Sequence, residues 1–430
     1  MVIATASDAP EIAGSAGAKP SDMRPPVSTS FMLSYMFAQY AAWMALMTPA
    51  AVTLAFKVSS IAGPQGKGMG LGRIMAFGAF VALVAAPIWG ALSDRTSTRV
   101  GRRKPWILAG SALLLCGLMV VATAATLLQV GIGWLICQCG SNAAQASLNA
   151  VIADVVPDRQ RGRMSAMLGI SGPLAMATGA FITQFTVGND IAMFLVPWLP
   201  GAIAIPLLFC LLKEPPMAVR KTTFQLRALP QLFWINPLRH PDFAWVFLSR
   251  FLIFLAASSS HTYKVYFLTD RIGIAPAEVA GYVFLITSIG AGLTVVLTPL
   301  SGWLSDRTGR VKPFVFLPAL IMSLGLAIIS MSNALAPFIV GMIMVGIGAG
   351  VFAAVDLALC VAVLPDRSDA AKDMGVIQVA NSLPQSLAPA LAPLFLSIGG
   401  GGNNYSAVYL AATVFGIIGA LAILPVRKTR

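Results

Sequence analysis

Apolar stretches long enough to bury a helix in lipid recur twelve times from Phe31 onward, most of them closed by a short polar or charged break. An α-helix rises about 1.5 Å per residue, so about 20 residues cross the ~30 Å hydrocarbon core of a bilayer. The pattern predicts spans at 31–54, 71–92, 105–126, 127–153, 164–186, 191–213, 243–269, 278–303, 313–333, 335–363, 374–399 and 405–426. Only 126/127 and 333/335 lack a clear polar break, so those pairs should turn tightly. Glycine and proline inside several spans do not argue against helices, because neighbouring helices satisfy the backbone they disturb.

Residues 1–30 are rich in Ala, Ser, Pro and Gly without a continuous apolar run, and read as a disordered tail. The longest connection, 214–242, divides the spans into two sets of six. Its prolines alternate with Phe224, Leu226, Phe233 and Trp234, which predicts a short helix lying in the membrane interface. The expected organisation is tail 1–30, a six-helix bundle 31–213, linker 214–242, a second six-helix bundle 243–426 and tail 427–430.

Composition agrees with this reading. Of the 430 residues 57% are hydrophobic and 10% charged, against about 25% charged in ordinary soluble proteins. Such a chain cannot cover a water-facing surface, which excludes a soluble enzyme, a disordered scaffold and a disulfide-stapled secreted domain. The five cysteines all fall in apolar runs and their odd, irregular spacing offers no disulfide framework or metal-ligand set. Neither a Ser/His/Asp nor a His/Glu constellation is present, and no catalytic residue, metal or cofactor is expected. Gly66-Lys-Gly-Met-Gly-Leu-Gly72 lacks the Gly-Lys-Ser/Thr ending of a phosphate loop.

The net charge of +13 is accounted for by topology. With the amino terminus in the cytoplasm, 23 of the 29 basic residues fall in the tails and cytoplasmic loops. Lys57, Lys67, Arg73 and Arg271 lie on the opposite side, and Arg250 and Lys264 within span seven. This positive-inside bias puts both termini in the cytoplasm of a plasma (inner) membrane protein. Nucleic acid is not needed as a partner; the lipid bilayer, a small-molecule substrate and protons are, and the chain is expected to be a monomer.

A signature recurs in the two halves. After span two the chain reads Gly90-Ala-Leu-Ser-Asp94-Arg95, then Gly101-Arg102-Arg103-Lys104; after span eight it reads Gly302-Trp-Leu-Ser-Asp306-Arg307-Thr-Gly-Arg310. Val155-Val-Pro157-Asp158 and Val363-Leu-Pro365-Asp366 form a second echo after spans four and ten. Parallel six-helix repeats mark one class of secondary transporter, with the substrate site between the halves near mid-membrane. Gly-x-x-x-Asp-Arg-x-Gly-Arg resembles the signature loop of the major facilitator superfamily. The longer first copy is similar to that of its glycoside/cation and sucrose/proton symporters, and Asp154-x-x-Pro157-x-x-x-Arg161-Gly162 resembles the superfamily's loop after the fourth helix. The resemblance runs from 31 to 426 and implies an all-α fold of twelve transmembrane helices in two pseudo-symmetric bundles. Gly90 and Gly302 are expected to let helices approach closely. Asp94 and Asp306 are expected to cap a helix or take an arginine hydrogen bond, so that Asp94, Arg95, Gly101, Arg102, Arg103, Asp154, Arg161, Asp306, Arg307 and Arg310 form gating loops.

Polar positions inside the spans supply the candidate chemistry. Gln138, Asn142, Gln145 and Asn149 recur at intervals of four, three and four, one face of span four. Amides both donate and accept, which suits a hydroxyl-rich ligand but equally suits hydrogen bonds between helices. Span eleven carries Gln378, Asn381, Ser382 and Gln385; span one offers Tyr35, Gln39 and Trp43, with Gln39 the best pore candidate. In span seven Arg250, His261 and Lys264 share a stripe, with His261 a cavity candidate and Lys264 expected to snorkel at the outer mouth. Arg250 and Asp356 of span ten each lie about seven residues from a cytoplasmic end, roughly 10 Å deep. They are expected to pair, and separating them would let Asp356 take a proton; a permanent structural pair is the alternative.

The sequence thus points to a secondary transporter working by alternating access and driven by a proton gradient, not to an enzyme. Resemblance to the symporter branch implies uptake of a sugar or glycoside. Proton-driven drug or metabolite efflux is the competing transport reading, because Gly172-Pro173 in span five is similar to an antiporter motif, without its second glycine pair. A sensor or assembly factor on the same fold is the alternative of another class.

Overall fold

The computed structural model describes residues 25–214, 239–363, 370–399 and 403–426. Residues 1–24 of the amino-terminal tail, the interfacial helix expected in the linker and the carboxy-terminal tail lie outside the described residues; the end of the expected tail is ordered, with Val27 hydrogen-bonded to the Gln160 side chain and the first helix starting at Thr29.

The described chain is α-helical, and its helices account for twelve spans. Span one is the helix Thr29–Thr48, continued by a π-helical turn Pro49–Thr53 and the start of the helix Leu54–Arg95. That last helix bends at Gly63 (φ 66°, ψ −176°), and its remainder is span two. The bend has a local cause: Pro64 disfavours a helical conformation in the residue before it, and glycine reaches positive φ without a Cβ penalty. The sequence reading leaves 55–70 as a connection between spans one and two; the helix Leu54–Arg95 runs through it.

Spans three to six are Lys104–Thr123, Leu127–Val155, Asp158–Thr186 and the pair Asp190–Leu195 and Leu199–Leu211. Spans seven to twelve are Pro241–Thr262 with its continuation to Arg271, Pro276–Thr308, Pro313–Met331, Leu335–Ala362, Ala370–Leu396 and Tyr405–Leu421. The tight turn after span three is secured by a capping box: Thr126 takes the Gln129 N–H, and the Gln129 side chain takes the N–H of Thr126.

The packing pattern repeats in the two halves. Span three lies on four as nine lies on ten, two on four as eight on ten, one on five as seven on eleven, and one on six as seven on twelve. Between the halves, span two packs on eleven and span five on eight, the same relationship seen from either side. Two six-helix bundles related by a pseudo-two-fold axis follow directly.

Small residues set the closest contacts. A Cβ on Gly140 would lie 2.4 Å from the Leu114 backbone nitrogen, and one on Gly341 would lie 2.7 Å from the Gly325 carbonyl oxygen. Spans three and four, and spans nine and ten, therefore meet backbone to backbone, as dispersion-driven association in lipid favours. Gly90 departs from expectation: nothing lies within 4 Å of where its Cβ would be, and Gly302 meets only Ala354 at 3.8 Å. These two signature glycines do not bring helices together in this conformation; the paired glycines of the hairpins do. The outside of the bundle is apolar, with Phe77, Phe80 and Phe185 exposed by 66%, 64% and 72%, as a surface solvated by acyl chains requires.

Candidate functional site

Even span number puts both termini on one side of the bundle; that side is called the terminus side here and its opposite the far side. Between the halves lies a cavity of about 330 Å³, walled by spans one, five, seven, eight and ten. Its wall is mostly apolar: Trp43, Met47, Met176, Ile286, Met342 and Val345 contribute most of its bulk. Polar groups enter from span seven as His261 and Lys264 and from span eight as Thr287 and Thr294. Among the described residues no aspartate or glutamate lines it.

Span seven is interrupted beside this cavity. Its first helix ends at Thr262, Tyr263 leaves helical geometry (φ −108°, ψ 6°), and the chain resumes as Lys264–Tyr266 and the π-helical Phe267–Arg271. The break lies in the far-side third of the span, where freed backbone is tolerated because it lines a cavity. The break turns Lys264 inward. It does not snorkel: it is 1% exposed, and its ammonium donates to Thr287 Oγ1 at 3.2 Å. His261, by contrast, presents its ring to the cavity.

The amide residues are arranged differently from a ligand-lining row. Asn142 Nδ2 donates back to the Gln138 carbonyl at 2.8 Å, and Gln39 Nε2 donates to Asn149 Oδ1 at 3.2 Å, joining spans one and four. Both polar atoms of Gln145 and Oε1 of Gln39 are buried without a partner. Gln385 donates to Asn381 Oδ1 at 3.1 Å within span eleven, and the side chain of Gln378 lies outside the described residues. Among the described residues none of the other amides lines the cavity; of the sequence candidates for it, His261 does. Trp43 and the Gly172-Pro173 pair are in the wall as well.

Toward the terminus side Arg250 and Asp356 meet at 2.5 Å, both largely buried. Arg250 also reaches Cys360 Sγ at 3.0 Å and stacks over Phe254 with its guanidinium 5.2 Å from the ring centre, while its Nε has no partner. Cys360 was legible only as an apolar filler; its place one helical turn from Asp356 is the signal for a shared role. Arg250 is eleven residues before His261, so this pair sits about 16 Å along the helix from the cavity.

The first signature loop is densely paired. Asp94 binds Arg103 at 2.6 Å, and Asp154 binds Arg102 at 2.6 Å and Arg103 at 2.9 Å. Glu214, which the motif reading passed over, accepts the backbone N–H groups of Arg102, Arg103 and Lys104, with Gly101 at φ 117° making room. It serves as a carboxylate at the N-terminus of span three, where the helix dipole favours negative charge. Arg161 donates to the Val156 carbonyl at 3.3 Å. The second copy is organised otherwise: Ser305 donates to the Arg310 carbonyl at 3.0 Å, Arg307 lies over Trp303, and among the described residues Asp306 is exposed with no ion pair. The sequence echo is therefore not an echo in charge pairing.

The far side holds what the sequence reading placed in a loop. Lys57 and Lys67 are buried in the helices around the Gly63 bend, each with its own carboxylate: Lys57 with Asp190 at 2.5 Å, Lys67 with Asp270 at 2.6 Å. The Lys67–Asp270 pair joins the halves. Beside it Tyr266 donates to the Ala55 carbonyl at 2.8 Å, Tyr263 to that of Gly68 at 3.5 Å, and Asn403 to that of Pro64 at 3.0 Å. These contacts join the two halves on the far side.

The family model described as Major Facilitator Superfamily matches residues 31–296 and 246–430. No curated protein matches the sequence. The crystal structure of peptide transporter POT in complex with sulfate is similar at 15% identity and a TM-score of 0.73, over 94% of this chain and 97% of that one. The crystal structure of nucleoside transporter NupG is similar at 13% identity and 0.70, over 93% and 99%. A bacterial homolog to the human lysosomal transporter Spinster, inward-facing and unoccupied, is similar at 16% identity and 0.66, over 96% and 99%. At such identities these likenesses bear on the fold.

Proposed function

This chain belongs to the major facilitator superfamily and is a secondary transporter rather than an enzyme, and on that premise we propose that it couples a proton to the passage of a small organic solute. The observation that carries the coupling is the Arg250–Asp356 pair, buried between spans seven and ten. Span seven carries both Arg250 and the cavity wall residues His261 and Lys264. A solute that shifts this broken helix draws Arg250 from Asp356. An aspartate left in a low-dielectric interior without its arginine is stabilised by taking a proton, and gives it up when the arginine returns. The cytoplasm is assigned to the terminus side by the positive-inside bias, so the far-side contacts lie toward the outside.

The sugar reading draws its support from the long first signature loop and the amide face of span four. The cavity wall offers it no amide or carboxylate for hydroxyl groups, so the solute is taken as a small organic molecule with an apolar body. One observation favours the efflux reading: Gly172 and Pro173, the antiporter-like pair, stand in the cavity wall. Uptake of a labelled panel of sugars, glycosides and apolar organic solutes, with and without a protonophore, separates the readings. Asp356→Asn is expected to abolish gradient-driven accumulation while sparing exchange of solute across the membrane. Full accumulation by that variant would reject the coupling role.

A further inference from the structure

Two of the three lysines buried in the described residues have a carboxylate partner, Lys57 with Asp190 and Lys67 with Asp270. The third, Lys264, has only the Thr287 hydroxyl. An ammonium offers three donors and a full charge, and burying it without a counter-charge is strongly disfavoured. This lysine is also the one that lines the central cavity, where no acidic residue accompanies it and the His261 ring stands beside it. The remaining wall is aromatic and aliphatic, with Met47, Met176 and Met342 from three different spans. Flexible thioether chains accommodate varied apolar shapes.

We propose that the cavity binds an organic anion, its carboxylate or sulfonate on Lys264 and Thr287 and its apolar body against Trp43 and the three methionines. The ligand supplies the charge that the fold withholds. A cationic solute would meet Lys264 with no carboxylate to offset it. A neutral polyol would leave the ammonium uncompensated and would find mainly apolar wall for its hydroxyl groups. The volume of about 330 Å³ falls at the lower end of small-molecule sites, which suits a one- or two-ring acid. This inference rests on the transporter reading for its site and adds the class of solute to it.

Equilibrium binding to the purified full chain in nanodiscs tests it with three probes of one shape: 2-naphthoate, 2-naphthamide and 2-naphthylmethylammonium. Naphthoate is expected to bind at least tenfold tighter than the amide, and the ammonium to be weaker still. Lys264→Met should abolish the acid-over-amide difference and Lys264→Arg should retain it. Should the methionine variant not fold, the wild-type comparison decides alone. Equal binding of acid and amide by the wild type, or an unchanged preference in Lys264→Met, overturns the proposal. Transport is read separately, by counterflow into proteoliposomes. Selective naphthoate binding without counterflow of any panel solute upholds the anion site and rejects the transporter reading. Counterflow of a neutral solute without any naphthoate preference does the reverse.

Discussion

At the scale of single residues, partners rather than positions decide what a buried charge does. Arg250 and Asp356 were expected to pair, and their contact at 2.5 Å makes each necessary to the other. Removing one partner of a buried pair strands the second in low dielectric at a cost of about 3–5 kcal/mol, whereas replacing both by apolar groups is near neutral. Arg250→Met alone should therefore lower stability by about that amount, and Arg250→Met with Asp356→Leu should recover most of it, measured by chemical unfolding in detergent. A double variant no more stable than the single one would count against the pair as the dominant interaction. Lys57 and Lys67 show where sequence reading stops: each belongs to a glycine-containing stretch with the composition of a loop, and nothing local announces that Asp190 and Asp270, 133 and 203 residues away, will neutralise them.

At the scale of helices, close approach is a property of facing pairs. Gly140 and Gly110 stand opposite each other, and a larger side chain at either meets backbone that cannot yield. Gly140→Leu should cost at least about 1–3 kcal/mol of stability, the range for overpacking. Gly90→Ala, with nothing within 4 Å of the new methyl, should be neutral or slightly stabilising by helix propensity. Thermal unfolding of the two variants side by side checks both. Span positions were legible to within a few residues because the bilayer imposes one length and one polarity on all of them. The amide row of span four was legible as a face, but a period cannot tell which neighbour that face meets. Two of its members are spent on hydrogen bonds to the helix itself and to span one. The cavity wall drew instead on Trp43, methionines and span eight, residue types with no signal to separate them from packing.

At the scale of the whole molecule, the two-fold repeat fixes which helices form the seam between halves, and the far-side contacts tie the halves together at one end. Lys67 is the charged element of that tie, with side-chain exposures of 9% and 26% for itself and Asp270. With Asp270 part-exposed, the pair is worth about 1 kcal/mol, a roughly fivefold shift in population. Lys67→Met should therefore speed amide hydrogen exchange at 64–68 and 266–270 several-fold while leaving 133–140 unchanged. Equal protection in both proteins would show that the tyrosine contacts hold the halves together unaided. Repeat and span count were recoverable from the sequence, since duplication leaves its mark in matched motifs; which helices meet across the seam was not. The asymmetry was not: the first signature loop gained Glu214 and a paired arginine set, and the second kept the letters without the pairs.

The bend at Gly63 has a mechanical corollary. Spans one and two are joined there without slack, so they work as the two arms of an elbow. Lys67, four residues past the joint, grips the opposite half. Any swing of the far arm is delivered at once to the near one, and from there to Trp43 at the cavity. Splicing a few flexible residues into this elbow would leave both arms intact and uncouple their movement.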